Sequence, residues 1–477
     1  SDTNAATNLV ITTAAGATDG QVSVAAIDVS GYVKIDVDSS TASKGDILIN
    51  GNLTADAANG GVGVDLDATN DITVAGIVKT TDGGTAQAVD LDSGNLVTFS
   101  AAGALDADTT ASVTGATGVS MASGSSITAD TTAEVIATTG NIALGQVTAG
   151  TTATLTADAG SITDNNTDAT NNVTATTLVA SAQDLVGDSN DNPILNPGST
   201  GFDALETAVT NLTVTTTAAK PNAGIAIDNT KGSTLTVTNV TPSAGQDATM
   251  WIRNDNGVTV SAWTLDGNDN VALIATAGDV TFPDGGAGVI DTSGNLVTPD
   301  ISVGTGQVRL EAAAGVVKDS ASNALVIAAS DLVLKSNTLN DETTGSAVGN
   351  FAATPVELAV LLSGKLDVDV NSDAQDLRVI GANSGGNSAD LNIGDVDSDT
   401  YSLTTNGTLT NGNLTVTVLN GTSAATDDSA GPTLSVANTL NTGNANITLN
   451  VLGLNVAAGD NAQDDGNIEI LSGATVQ

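Results

Sequence analysis

The sequence predicts an all-β protein, a parallel β-solenoid, and three observations lead to that class. Short apolar runs recur at intervals of 20 to 25 residues. Each run alternates apolar and polar positions and is bounded by Gly, Asn or Asp, the pattern of short strands ending in tight turns. The 477 residues include eight aromatics, no histidine and no cysteine, so the core must be thin and built from Ala, Val, Ile and Leu.

The first strand series runs from Ile47 to Ile72 to Leu96, then Val119, Ile142 and Ile162, with steps of 25, 24, 23, 23 and 20. A second runs Val113, Val135, Leu155, with steps of 22 and 20. Two interleaved series at one period mean several strands per coil, each coil pairing its backbone with the next. About 22 residues per coil gives about twenty rungs, and strands about 4.8 Å apart give a rod on the order of 100 Å. Disorder is the competing reading of so much Gly, Thr, Asn, Asp and Ser, and the regularity of the apolar runs argues against it.

Two stretches interrupt the rhythm in the same way, so residues 1–477 read as one elongated solenoid with insertions near 187–212 and 337–362. The surrounding unit is duplicated at approximately 160–212 and 315–362, with matching positions offset by 147 to 155 residues. The last element of each copy carries helix signals. Thr354, Pro355 and Glu357 form an N-cap, a first-turn proline and a capping-box acid, followed by Val356, Val360 and Leu361 on one face. Asp203 and Glu206 make the equivalent start, with Phe202, Leu205, Val209 and Leu212 at helical spacing. A short helix in each insertion is the expectation, an extended loop the alternative.

Charge narrows the partners. Fifty-four acids against eleven bases give a net charge of -43. The few bases are scattered, so neither nucleic acid nor an anionic membrane is an expected partner. A solvated acidic surface resists aggregation. Zero cysteines exclude disulfides and thiolate metal sites and suit an exported bacterial protein. No apolar run reaches the length of a membrane-spanning helix, so membrane insertion is not expected. The chain begins at Ser1 with neither Met nor a signal-like stretch, as expected of a processed or excised form.

The turn Gly160-Ser161-Ile162-Thr163-Asp164, the run Leu178-Val179-Ala180-Ser181-Ala182, the segment Leu205-Glu206-Thr207-Ala208-Val209 and the following Gly224-Ile225-Ala226-Ile227-Asp228-Asn229 carry a resemblance. Stretch 140 to 240 resembles the repeat regions of filamentous-haemagglutinin-like exoproteins and adhesins, large β-helix proteins of bacterial surfaces; 308 to 380 resembles a worn second copy. The resemblance implies a right-handed β-helix and an extracellular or cell-surface, structural or adhesive role. Neither the Asn-Pro-Asn secretion motifs nor the carboxy-terminal barrel of such proteins is found, so the expectation is an internal portion of a longer chain or another secretion route.

The residue inventory removes most catalytic chemistry. Ser-His and Cys-His nucleophiles and imidazole or thiolate zinc lack their partners. Gly60-Gly61-Val62-Gly63 is not followed by the Lys-Thr of a phosphate loop. The six Glu residues lie far apart, while Asp65 with Asp67 and Asp90 with Asp92 alternate within strands and project from one exposed face. A glycan-cleaving enzyme would need convergent carboxylates in a groove. No enzymatic activity is expected, and a polysaccharide-degrading solenoid is kept as an alternative.

No cofactor is expected unless it is calcium. Candidate ligands are the turn acids Asp188, Asp191, Asp266 and Asp269 and the alternating Asp395, Asp397 and Asp399; the last set lacks the Gly and Glu of an EF-hand. Trp251 and Trp263, twelve apart beside Arg253, read either as local core or as a contact patch for a glycan or protein. The expected function is an extracellular structural or adhesive solenoid, a surface rod or filament-forming subunit. It would associate end to end or continue in a longer chain, because solenoid ends leave strand edges unpaired. A calcium- or glycan-binding adhesin segment is the alternative.

Overall fold

The structure, a computed structural model, describes residues 7–13, 20–40, 44–56, 61–81, 87–166, 170–187, 203–217, 224–242, 248–265, 268–282, 301–303, 306–318 and 325–329, then the strands and short pieces between 331 and 476. Among the described residues the regular elements are all β-strands and there is no helix. The chain divides into two compact units, Ser1–Asp191 with Thr200–Lys231 and Thr238–Ser243, and Asn192–Ser199 with Gly232–Val237 and Ala244–Gln477.

The first unit is a parallel β-solenoid with three strands per coil. One face is the column Leu9–Thr12, Val33–Val37, Val62–Ala68, Ala88–Ser93, Thr110–Gly115, Thr132–Ala137, Thr152–Ala157, Thr177–Ala182 and Asn211–Thr216. The second face runs from Gln21–Val24 through Asp46–Ile49, Ile72–Val74, Leu96–Phe99, Gly118–Met121 and Ile142–Leu144 to Ile162–Asp164 and Leu185–Val186. The third runs from Ile27–Val29 through Leu53–Ala55, Ile77–Thr80, Ala104–Ala107, Ser126–Ala129 and Gln146–Ala149 to Val173–Thr174 and Leu205–Ala208. The first face therefore stacks nine coils, not the twenty rungs expected from dividing the whole length by 22. Gly224–Asn229 then pairs with Leu185–Val186 at its start and with Leu205–Ala208 beyond, so a single strand there continues two faces.

Alternation decides what is inside. Along Thr152–Ala157 the side chains of Ala153, Leu155 and Ala157 are buried, and those of Thr152, Thr154 and Thr156 lie at the surface. Register carries the pattern from coil to coil: Leu91, Val113, Val135 and Leu155 are successive partners, stepping by 22, 22 and 20 residues. Ile47, Ile72, Val97, Val119, Ile142 and Ile162 form the second buried file. Val97, not Leu96, holds the third place, because Leu96 is paired with Gly118. Side chains stacked in register at about 4.8 Å contact their own counterparts, so small and β-branched residues fill most of the core. Phe99, fully buried, is the largest side chain in it. At one corner the coils approach so closely that a Cβ on Gly160 would lie 2.3 Å from the Gly140 carbonyl oxygen.

The expected helices are strands. Leu205–Ala208 pairs with Val173–Thr174 through Val173 and Thr207, and Val356–Leu361 pairs with Leu325–Ala328 and Leu377–Gly381. The helical spacing of Leu205, Val209 and Leu212 has another cause. All three are fully buried because the chain turns a corner at Val209 and Thr210 between two strands, and that corner shifts the burial phase. The free ladder edge of the preceding coil outweighs a local capping signal. Residues 188–202 and 339–355, the centres of the expected insertions, lie outside the described residues.

In the second unit, Thr249–Asn254, Asn270–Ala275, Gln307–Lys318, Asp331–Thr338 and Leu366–Val370 stack in parallel. A column from Ile301–Ser302 and Leu325–Ala328 through Val356–Leu361, Leu377–Gly381 and Leu414–Leu419 reaches Ile447–Leu452.

Candidate functional site

Of the sequence-predicted calcium ligands, Asp269 alone lies among the described residues. Asp188, Asp191, Asp266, Asp395, Asp397 and Asp399 lie outside them. Asp269 is described and is 1% exposed, so its carboxylate is not displayed to solvent.

The tryptophans are also placed. Trp251 sits in Thr249–Asn254 with 8% of its surface exposed and pairs in register with Ala272. Trp263 is half-buried and packs on Phe282, with ring centroids 5.5 Å apart and planes at 44°. Arg253 bonds Asp255 through Nη2 at 3.3 Å. The indole of Trp251 therefore belongs to the interior, as one of the two readings of this pair has it.

The first outer face carries an acidic ladder. Asp36, Asp67 and Asp92 are register partners, as are Lys34, Asp65 and Asp90, so the alternating acids do project from one face. Lys34 Nζ reaches Asp65 Oδ2 at 2.5 Å, and that bond raises the Lys34 pKa. Partial burial, then the neighbouring carboxylates, raise Asp67 and Asp90 above the usual carboxylate range. On the third face Lys79 Nζ meets its register partner Asp106 Oδ2 at 2.5 Å.

The most unusual grouping was not expected as a site. Asp164 ends the strand Ile162–Asp164, and its Oδ1 accepts the Asn166 backbone N–H at 2.6 Å, closing an Asx turn. Asn172, fully buried, donates Nδ2–H to Asp164 Oδ1, to Leu144 O at 3.4 Å and to Gly145 O at 3.3 Å. Its Oδ1 accepts the Glu206 backbone N–H at 3.0 Å, while its own N–H donates to Glu206 O at 2.8 Å. One asparagine thus fixes Asp164 and Glu206, which lie on strands of two different faces.

Carboxylate oxygens of Asp164, Asp203 and Glu206 all lie within 4.8 Å of one another. Asp203 is exposed, Asp164 is half-buried, and Glu206 is 8% exposed with Oε2 buried and without a hydrogen-bond partner. Burial, then the negative charge of Asp164, push the Glu206 pKa up to about 8; Asp203 and Asp228 act in the same direction. A faint signal of this corner lies in Asp164, Asn165, Asn166, Asn171 and Asn172, polar residues grouped at and after a strand end. Asp203 and Glu206 read instead as a helix start.

Fold and site together define a parallel β-solenoid with an acidic corner where the third face re-enters the stack. Comparison with protein-family models, with curated proteins and with solved structures returns no match.

Proposed function

We propose that this chain is an extracellular structural or adhesive β-solenoid, a surface rod or filament-forming subunit of a bacterial exoprotein, and not an enzyme. The observation that carries this reading is the continuous in-register column of nine strands with a uniform aliphatic interior, which commits the residues of that unit to stacking. The outer side of the first face supports it too, with files such as Thr110, Thr132 and Thr152 or Asp90, Ser112, Glu134 and Thr154 running along it. The resemblance of 140 to 240 to filamentous-haemagglutinin-like repeats adds the surface location. Among the described residues Leu9–Thr12 pairs with Val33–Val37, and a strand edge of this kind favours association with another strand.

Negative-stain imaging of the purified protein tests the structural role: elongated particles or end-to-end filaments are expected, and compact globules would overturn it. A glycan-array screen tests the adhesive alternative, with saturable binding to a defined glycan as its positive result.

A further inference from the structure

Most buried acids in a folded protein are paired, because a carboxylate removed from water loses its hydration. Glu206 Oε2 is buried and has no partner, and an oxygen of that carboxylate lies within 4.8 Å of oxygens of two more. Such an arrangement gains most from a cation. The donors are all oxygen, which selects a hard ion over zinc or copper.

We propose that Asp164, Asp203 and Glu206 form a calcium site that clamps the chain re-entering at Asp203 onto the strand ending at Asp164. Two oxygens bound to one Ca²⁺ at about 2.4 Å are at most about 4.8 Å apart, and the three carboxylates already satisfy that limit. The scaffold is prepared from both sides: the Asx turn and Asn172 hold Asp164, and Asn172 holds the backbone of Glu206. Asp203, exposed, offers the path of entry from solvent. None of these three acids belongs to the calcium candidates read from the sequence.

The test is calorimetric titration of the chelator-treated full chain with CaCl₂ alone, and separately with MgCl₂. One strong Ca²⁺ site is expected, together with a rise in the thermal midpoint of at least about 2 °C in excess calcium. Glu206→Gln and Asp164→Asn should each weaken that site about tenfold or more, while Asp67→Asn, on the outer ladder, should not. Hydrogen exchange of the unaltered chain localises the ion without mutation, with added protection expected in 162–176 and 203–210. No calcium binding, equal affinity for magnesium, binding unchanged in both site variants, or protection confined to other residues would each overturn the assignment.

Discussion

Asn172 and Glu206 are bound reciprocally. The Asn172 carboxamide oxygen accepts the Glu206 N–H at 3.0 Å, and the Asn172 N–H donates to the Glu206 carbonyl at 2.8 Å. The same carboxamide holds Asp164 through its Nδ2. A side chain here supplies what a ladder supplies elsewhere, at the place where the chain returns after residue 202.

Removing that carboxamide leaves buried groups without partners. Asn172→Ala is expected to lower stability by about 1–3 kcal/mol, read by chemical denaturation of the full chain. Asn172→Asp should be worse than Ala, because it adds a fourth carboxyl group to those of Asp164, Asp203 and Glu206. An Asp variant more stable than Ala would contradict the hydrogen-bond assignment.

Glu206 predicts a pH dependence in metal-free buffer. Its folded-state pKa of about 8 lies above the ordinary 4.5, so the folded chain retains a proton that the unfolded chain has released. The associated stability is present in full below pH 4.5 and is lost as pH rises through 8, by at most about 1.4 kcal/mol per pH unit. Denaturation midpoints measured from pH 5 to 9 should fall more steeply for the unaltered chain than for Glu206→Gln. Parallel curves would refute the shift.

Leu155 and Thr154 are neighbours on one strand with opposite outcomes. Leu155 is fully buried between Val135 and Ala180, so Leu155→Ala should cost about 2–5 kcal/mol. Thr154→Ala, facing outward, should stay within about 0.5 kcal/mol. Thermal unfolding of the two variants side by side checks the inward phase of the strand.

Lys34 bridges to Asp65 within the ladder of Asp36, Asp67, Asp90 and Asp92. Both partners are more than a third exposed, so solvent screens the pair and Lys34→Gln should cost under about 1 kcal/mol. Most of that loss should disappear in 1 M salt, where screening acts within about 3 Å. A deficit that persists in salt would indicate a packing role for the lysine stem.

Much of the solenoid was legible because its signal is periodic. Val113, Val135 and Leu155 are stacked as their spacing says, and Asp65 with Asp67 does lie on one outer face. The error from Leu96 to Val97 is one residue, the smallest slip that moves a side chain from outside to inside. Leu205 and Val209 misled for a different reason. Strand, corner and strand can bury the same positions as a helix, and a local pattern does not distinguish them.

By itself the sequence determined the repeat, the β class and the aliphatic interior, since period and side-chain size are local properties that every coil restates. Only the tertiary structure decided that Glu206 enters a strand, and that it and Asp203 meet Asp164 beside Asn172. Those residues lie up to 42 positions apart, and their proximity depends on how much chain is looped out between one coil and the next, a length that no periodic pattern encodes.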